Sequence, residues 1–417
     1  MNDCQQWLEW LATFAEAEGF QLSLVGGAVR DRLLGLNQPD KDWDFVVEGP
    51  HPWPAVSLAQ AVRQSQALPD GFAIQLLQTF ECYGTAQLTL LTPKGSLVCD
   101  LSSARIERYA YPGDHPQVKL GNLLEDLKRR DFSINAIAQR LPASKFPLLD
   151  PFGGTSALAT SELELLHADS LSDDPTRLIR AARYSARLNL KLSAASAQQA
   201  SDVLIRWPWP IEAPALAARM RMELDLLFQE SNWRQAVKLL SQWGGLELLF
   251  RHWRLLPQAT VPWLQRVGHW GEQLSSDFTA AQLRLISLLL LTPSEAEVVE
   301  GLAARLQLPA GHQTLLRQTL QLRTWLQQLD QQQHLRPSDW SSALEELGAS
   351  KQPLQVLFLL GPTYKPWRQP LLHWLCRWRL VQSPLTAKEL IAEGWARGPA
   401  LGAELRRRRD LAINELG

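Results

Sequence analysis

The sequence predicts an α+β chain, with a mixed-sheet head at the N-terminus and an all-helical remainder. Two observations predict it. Up to about residue 140, short apolar runs alternate with turn residues. From about residue 160 onward, strand signals almost vanish, and Leu, Ala, Gln, Arg and Trp take over at helical spacing. The chain has 417 residues and is 46% hydrophobic, enough for roughly two to four domains with real cores.

The elements follow in order. Residues 3–18 read as a helix, and so does the stretch from Ala28 to Leu34. The runs 22–25, 44–47, 73–77, 86–91 and 97–101 read as strands. Further on, 182–188, 215–228 and 234–250 read as amphipathic helices. Proline-containing breaks are expected at 207–214, 257–262, 293, 309, 337 and 366–370. The Gln-rich stretch 318–333 reads as the polar face of a helix, and most of the 17 tryptophans as core.

Composition excludes several classes. Lys plus Arg number 42 against 43 Asp plus Glu, a net charge of −1, so no general basic coat is present, while a local basic groove stays open. Cys4, Cys82, Cys99 and Cys376 are scattered and contain no C-x-x-C pair, which fits reduced thiols in a cytoplasmic protein. The N-terminus has acids early and no basic region, so no signal peptide is read. The most apolar run, Leu283 to Leu291, contains Arg284 and is about half the length that spans a bilayer.

The chemistry-bearing residues begin where the first strand runs into Gly26 and Gly27 and then a helical segment carrying Arg30 and Asp31. Glycines there let backbone N–H groups approach an oxyanion, and Arg30 is in reach of a phosphate. Asp42 and Asp44 follow at strand spacing, which puts two carboxylates on one face. Like charges that close repel unless a cation lies between them, and oxygen donors suit Mg²⁺ that also binds phosphates. Asp100 ends a later apolar run and reads first as a strand-end turn, with activation of an attacking hydroxyl as the alternative. Arg129 and Arg130 precede Asp131, which is placed to cap a helix, with Asn135 one turn on. Asp174, Arg177 and Arg180 are three apart, on one face of an expected helix, and Arg183 extends the row.

Taken in order, G-G-A-V-R-D, D-W-D-F, R-R-D-F-S-I-N-A, D-P-F-G-G (150–154) and D-D-P-T-R-L-I-R-A-A-R (173–183) resemble the motifs of the bacterial tRNA nucleotidyltransferases. These are the class II CCA-adding enzymes, related to bacterial poly(A) polymerases. The resemblance implies a polymerase β-like nucleotidyltransferase head over 1–143, a helical neck over 144–192, a body over 193–270 and a tRNA-binding body and tail over 271–417. It implies that Asp42 and Asp44 hold Mg²⁺ and carry catalysis. It implies that Gly26, Gly27, Arg30 and Arg130 bind the incoming CTP or ATP, with Asp174, Arg177, Arg180 and Arg183 facing the same cleft. The implied reaction adds C and A to the tRNA 3′ end without a template and releases pyrophosphate.

Base choice follows from hydrogen-bonding edges. Cytosine and adenine both offer an amino donor beside a ring-nitrogen acceptor, whereas uracil and guanine reverse the pair. An accepting Asp174 beside a donating Arg177 suits the first two, and each bond lost with the wrong base costs about 1–3 kcal/mol. The sequence departs from the family at Asp173, where Glu is usual, and at Ala218, where Glu often precedes Arg219. It has no His-Asp dyad, so the phosphohydrolase domain of some relatives is not expected. The loop from Arg105 to Lys128 reads as full length, which favours full CCA or A-only addition over CC-only addition. Arg406 to Arg409 form the densest basic run and read either as a solvated helix end or as a phosphate contact. A poly(A) polymerase and a non-catalytic RNA-binding relative are the alternatives.

Overall fold

The computed structural model describes residues 3–36, 42–110, 114–207, 214–292, 295–329, 335–361 and 365–416. The side chains of Cys4, Asp42, Pro214 and Lys365 lie outside the described residues, as does the break expected at 293. The chain divides into two compact units, 1–208 and 209–417.

The first unit opens with α1 (Asp3–Ala17), β1 (Gln21–Val25), α2 (Gly27–Leu33), β2 (Asp42–Glu48) and α3 (Pro54–Gln64). Then come β3 (Ala73–Phe80), β4 (Thr85–Thr92), β5 (Gly95–Ser103), the small hairpin β6 (Arg105–Arg108) and β7 (Gln117–Leu120), and α4 (Leu123–Lys128). β8 (Ala138–Arg140), β9 (Leu148–Leu149), α5 (Gly154–Ala159), β10 (Glu162–Leu163), α6 (Ser170–Asp173), α7 (Arg177–Leu188), β11 (Lys191–Leu192) and α8 (Ala194–Arg206) complete it. All five expected strands form, the helices expected over 3–18 and 28–34 lie within a residue of their anticipated bounds, and the one expected over 182–188 begins five residues earlier, at Arg177.

Seven strands make one mixed sheet in the order β3-β4-β5-β2-β1-β8-β9. β2 and β5 run parallel and the other neighbours antiparallel. Both faces are covered. Trp43, Phe45 and Val47 pack with Trp7 and Leu11 of α1 and Leu58 and Val62 of α3. Val46 points the other way, into a cluster with Leu123 and Leu127 of α4. Burying one such large side chain stabilises by about 1.5–3 kcal/mol. The pleat puts Asp44 on the Val46 face, exposed near the start of β2. Asp100 sits opposite Asp44 in the parallel register. It lies inside β5 and accepts a hydrogen bond from Gln87 Nε2 at 2.8 Å, so the expected strand-end turn is not there.

The second unit is helical: α9 (Pro214–Gln229), α10 (Trp233–Gln242), α11 (Pro257–Leu274), α12 (Ala280–Leu290), α13 (Ala296–Arg305), α14 (Ala310–Gln328), α15 (Pro337–Glu346), α16 (Leu354–Leu359), α17 (Arg368–Cys376), α18 (Ala387–Ala392) and α19 (Pro399–Glu415). Trp233, Trp253, Trp263, Trp340, Trp374 and Trp378 are buried, as expected of core tryptophans. Two expectations are corrected, and the basic run gains internal partners. The single helix over 234–250 ends at Gln242, because Gly244 adopts a left-handed conformation (φ 73°) and a 3-10 turn follows. The break at 257–262 is a helix start: Pro257 occupies the first position of α11, where its missing N–H costs nothing, and Pro262 lies early inside it. The basic run is paired internally, Arg407 and Arg408 with Glu404, Arg408 also with Glu393, and Arg409 with Glu345. Glu404 stands one helical turn before its arginines, the spacing at which such pairs form. Among the described residues no helix is long and apolar enough to cross a membrane.

Gly154 shows how tightly the first unit is packed. A Cβ there would collide with the Ser133 carbonyl oxygen and lie 2.7 Å from Ile137 Cγ1. Gly154→Ala is expected to destabilise the protein by about 1–3 kcal/mol, seen as a lower urea midpoint. An unshifted midpoint would show that the backbone at Ser133 yields freely.

Candidate active site

One open cleft of about 300 Å³ in the first unit is lined by Gly26, Gly27, Asp44, Arg130, Asp174, Arg177 and Arg180. Four different stretches of sequence thus meet there. β1 delivers the chain to Gly26, whose φ of 70° turns it into α2. A Cβ on Gly26 would stand 3.3 Å from both Arg130 Nη1 and Asp44 Oδ2. The space beside that carboxylate and that guanidinium is kept open by a glycine.

Arg129 and Arg130 leave the end of α4 and are held by Asp126, which is fully buried. Its Oδ1 accepts from Arg129 Nη2 at 2.6 Å and its Oδ2 from Arg130 Nη2 at 3.2 Å. Glu107, on the β6 strand, accepts from Arg105 Nη2 at 2.8 Å, Arg129 Nη1 at 2.8 Å and Tyr109 Oη at 2.9 Å. Asp131 is 7% exposed. Its Oδ1 accepts from the Phe132 N–H at 2.8 Å and Asn135 Nδ2 at 3.0 Å, and its Oδ2 from Arg180 Nη1 at 3.0 Å. It therefore joins the α4 end to α7, and the helix-cap role expected of it is replaced by this ion pair.

The neck residues are arranged differently from the single row expected. Asp174 precedes α7 in an extended conformation (φ −143°, ψ 93°), and the helix begins at Arg177. Asp174 Oδ1 accepts from Thr176 Oγ1 at 2.6 Å and the Thr176 N–H at 3.1 Å, which sets its direction. Arg177 donates from Nη1 to Ser170 Oγ at 2.6 Å and from Nη2 to the Arg129 carbonyl at 3.0 Å. Asp174, Arg177 and Arg180 still line the same cleft.

Two expected site residues are placed elsewhere. Arg30 is 2% exposed, and its guanidinium donates to Asp31 Oδ1 at 2.7 Å and Asn135 Oδ1 at 2.6 Å. It is buried under the turn and does not line the cleft, because Asn135 folds back to meet it. Arg183 stacks on the Tyr184 ring, its Cζ 5.0 Å from the centroid, and is not among the lining residues. The side chain of Asp42 lies outside the described residues; its backbone opens β2 opposite Val98. Sequence reasoning passed over Glu107, Asp126 and Tyr184. The last two had a signal: Asp126 stands four residues before Arg130, and Tyr184 four after Arg180.

Among the described residues the lining holds four arginines (129, 130, 177, 180) and four carboxylates (Asp44, Glu107, Asp131, Asp174), whose formal charges balance. Among the described residues no cluster of three metal-ligating side chains occurs. The oxygen donor at Asp44, the room beside it that a Cβ would fill, and the lack of surplus positive charge fit a divalent cation bound with a triphosphate.

Burial alone would raise the carboxyl pKa values of Asp131, Asp126 and Glu107. Arg180 with Asn135 and Arg177, Arg129 with Arg130, and Arg129 with Arg105 and Tyr109 outweigh it, and hold each below the ordinary carboxylate range. Groups depressed by folding contribute stability that is fully present above their unfolded values, near pH 4, and is lost as pH falls through the folded ones. Urea titrations at pH 7, 5 and 3.5 are expected to show this acid loss. Asp126→Asn is expected to cost about 3–5 kcal/mol at pH 7 by stranding two arginines and to flatten the acid limb. An acid limb as steep in the variant as in the parent would remove Asp126 from the account.

Residues 22–164 match the family model described as the poly A polymerase head domain. The chain is 39% identical over 243 residues to a CC-adding tRNA nucleotidyltransferase of Deinococcus radiodurans, covering 58% of this chain and 59% of that one. It is 38% identical over 200 residues to an A-adding tRNA nucleotidyltransferase of Halalkalibacterium halodurans, covering 48% of this chain and 43% of that one. The chain thus spans about half the length of these two relatives. A multifunctional CCA protein of Nitrosococcus oceani is 30% identical over 436 residues, covering 95% of this chain and 98% of that one. A solved CCA-adding enzyme without ligand shares the fold, with a TM-score of 0.71 at 23% identity over 98% of this chain and 92% of that one. By the end-to-end match with the Nitrosococcus protein and the head-domain match, the chain belongs to the tRNA nucleotidyltransferase family built on the poly A polymerase head.

Proposed function

We propose that this chain is a template-independent nucleotidyltransferase that adds C and A to the 3′ end of tRNA from CTP and ATP. The supporting observation is the meeting of the Gly26–Gly27 turn, Asp44, Arg130, Asp174, Arg177 and Arg180 in one cleft. In the reaction the RNA 3′-hydroxyl attacks the α-phosphorus, the bond to the β-phosphate breaks, and pyrophosphate leaves.

The Gly26–Gly27 turn offers backbone N–H groups to the phosphates, and Arg130 offers charge. Asp42 and Asp44 are the residues that hold Mg²⁺. When bound, that ion lowers the cost of deprotonating the hydroxyl and offsets phosphate charge. Asp174 and Arg177 read the base edge, each held in direction by a second contact, Thr176 for one and Ser170 with Arg129 for the other. Arg180 and Asp131 hold the reading residues against the α4 end, and Arg183 acts from behind the wall through Tyr184. The helical unit supplies the tRNA grip, by shape and phosphate charge. Arg407 to Arg409 have carboxylate partners within the chain, so Arg406 is the member of that run offered to a phosphate. The near-neutral charge and scattered thiols suit work in the cytoplasm.

Relatives named CC-adding, A-adding and multifunctional all match this chain, so product range is the open part of the reading. The test uses tRNA ending before CCA, after C and after CC, each with Mg²⁺ and CTP, ATP or both. Extension of all three to CCA identifies the complete enzyme. Extension of the CC-ending substrate alone, with ATP, identifies A-addition, and stopping after two cytidines identifies CC-addition. A long A tract identifies a poly(A) polymerase, and no incorporation overturns catalysis. Asp44→Ala is expected to reduce incorporation by about a thousandfold or more with the fold intact by circular dichroism.

A further inference from the structure

Tyr184 lines the cleft but has no part in binding or chemistry as set out above. Its surroundings give it one. The Arg30 guanidinium lies 5.2 Å from the ring centroid, those of Arg183 and Arg187 5.0 and 5.3 Å, and Phe132 meets the ring edge-on at 5.8 Å. Guanidinium groups settle on aromatic faces because the ring quadrupole attracts them. Arg183 and Arg187 belong to the same helix as Tyr184, but Arg30 comes from α2, on the far side of the sequence. A Cβ on Gly27 would stand 3.4 Å from Arg30 Nη2, so this guanidinium backs the glycine turn.

Arg30 is tied to α7 a second time. Its Nη1 donates to Asn135, Asn135 donates to Asp131, and Asp131 accepts from Arg180. Arg180 and Tyr184 are four residues apart, on one face of α7. One tether fixes a distance and leaves a rotation open; two tethers from one helix face fix both. We propose that Tyr184 is a positioning residue: stacked on Arg30, it locks the Gly26–Gly27 turn in register with Arg177 and Arg180, so that phosphates and base are read in a single geometry. The proposal rests on the nucleotidyltransferase reading given above.

Removing the ring leaves the polar tether, so the unit stays folded while the turn gains freedom against the base-reading helix. A role in folding alone lowers activity with every nucleotide alike, whereas a role in register lowers selectivity. The measurement is the ratio of kcat/KM for CTP over UTP on tRNA ending before CCA, with folding followed by thermal circular dichroism. Tyr184→Met is expected to lower that ratio about tenfold, and Tyr184→Phe, which restores the ring, to recover it to within about twofold. Arg30→Lys keeps the charge but loses both the planar stack and the Nη1 bond to Asn135, so it is expected to lower the ratio at least as far as Tyr184→Met. A folded Tyr184→Met or Arg30→Lys variant with the parent's ratio, or a Tyr184→Phe variant as impaired as Tyr184→Met, overturns the proposal. A parent that extends only tRNA ending in CC is assayed for ATP over GTP on that substrate, with the same expected changes; a parent that incorporates no nucleotide into either tRNA overturns the underlying reading, and the proposal with it.

Discussion

The Asp131 carboxylate is the interaction on which the cleft depends. One oxygen faces Arg180 on α7, and the other faces Asn135 and the next backbone N–H. Burying an ionised carboxylate costs several kcal/mol unless every lone-pair direction is met, and removing one partner from such a pair costs about 3–5 kcal/mol. That asymmetry makes the arrangement all or nothing. With Asp131 in place, α7 starts where Arg177 reaches both Ser170 and the Arg129 carbonyl, and the reading face of the cleft follows.

The same logic explains why a cleft suited to a triphosphate is not simply basic. Four bare arginines in a small space would repel one another and pull the walls apart. Asp126, Glu107 and Asp131 instead give Arg129, Arg130 and Arg180 fixed partners. The guanidinium groups are then oriented before substrate arrives, and little reorganisation accompanies binding. What is given up is net charge, which is why the divalent cation expected at Asp44 matters for holding phosphates and not only for the bond-forming step.

Much of this was legible in the sequence. Apolar runs separated by turn residues marked five strands of the sheet, and Asp44 stands on β2 at the edge of the cleft. The glycine pair marked the turn, and the ordered motifs marked the cleft. The misses have local causes. Asp174 was read onto the helix although Pro175 follows it, and the residue before proline is pushed out of the helical region; its φ of −143° is that effect. In the sequence Arg30 reads towards a phosphate, yet the adjacent Asp31 takes its Nε and Asn135, 105 positions away, takes its Nη1. The Arg406–Arg409 run reads either as a solvated helix end or as a phosphate contact, and the carboxylates of Glu404, Glu393 and Glu345 stand beside three of its members. Of these partners, only Asn135, Glu393 and Glu345 are distant ones that no local reading of the sequence brings together.

On the proposed function, a base-reading pair of Asp174 and Arg177 does not by itself separate C addition from A addition. Relatives named for adding C and for adding A match this chain at 39% and 38% identity, and cytosine and adenine present the same donor–acceptor edge. A pair that reads one reads the other, so what separates them is size and the distance from base edge to α-phosphorus. On the same proposal, uracil and guanine are excluded by hydrogen-bonding chemistry, while cytosine and adenine differ at the same edge only in size.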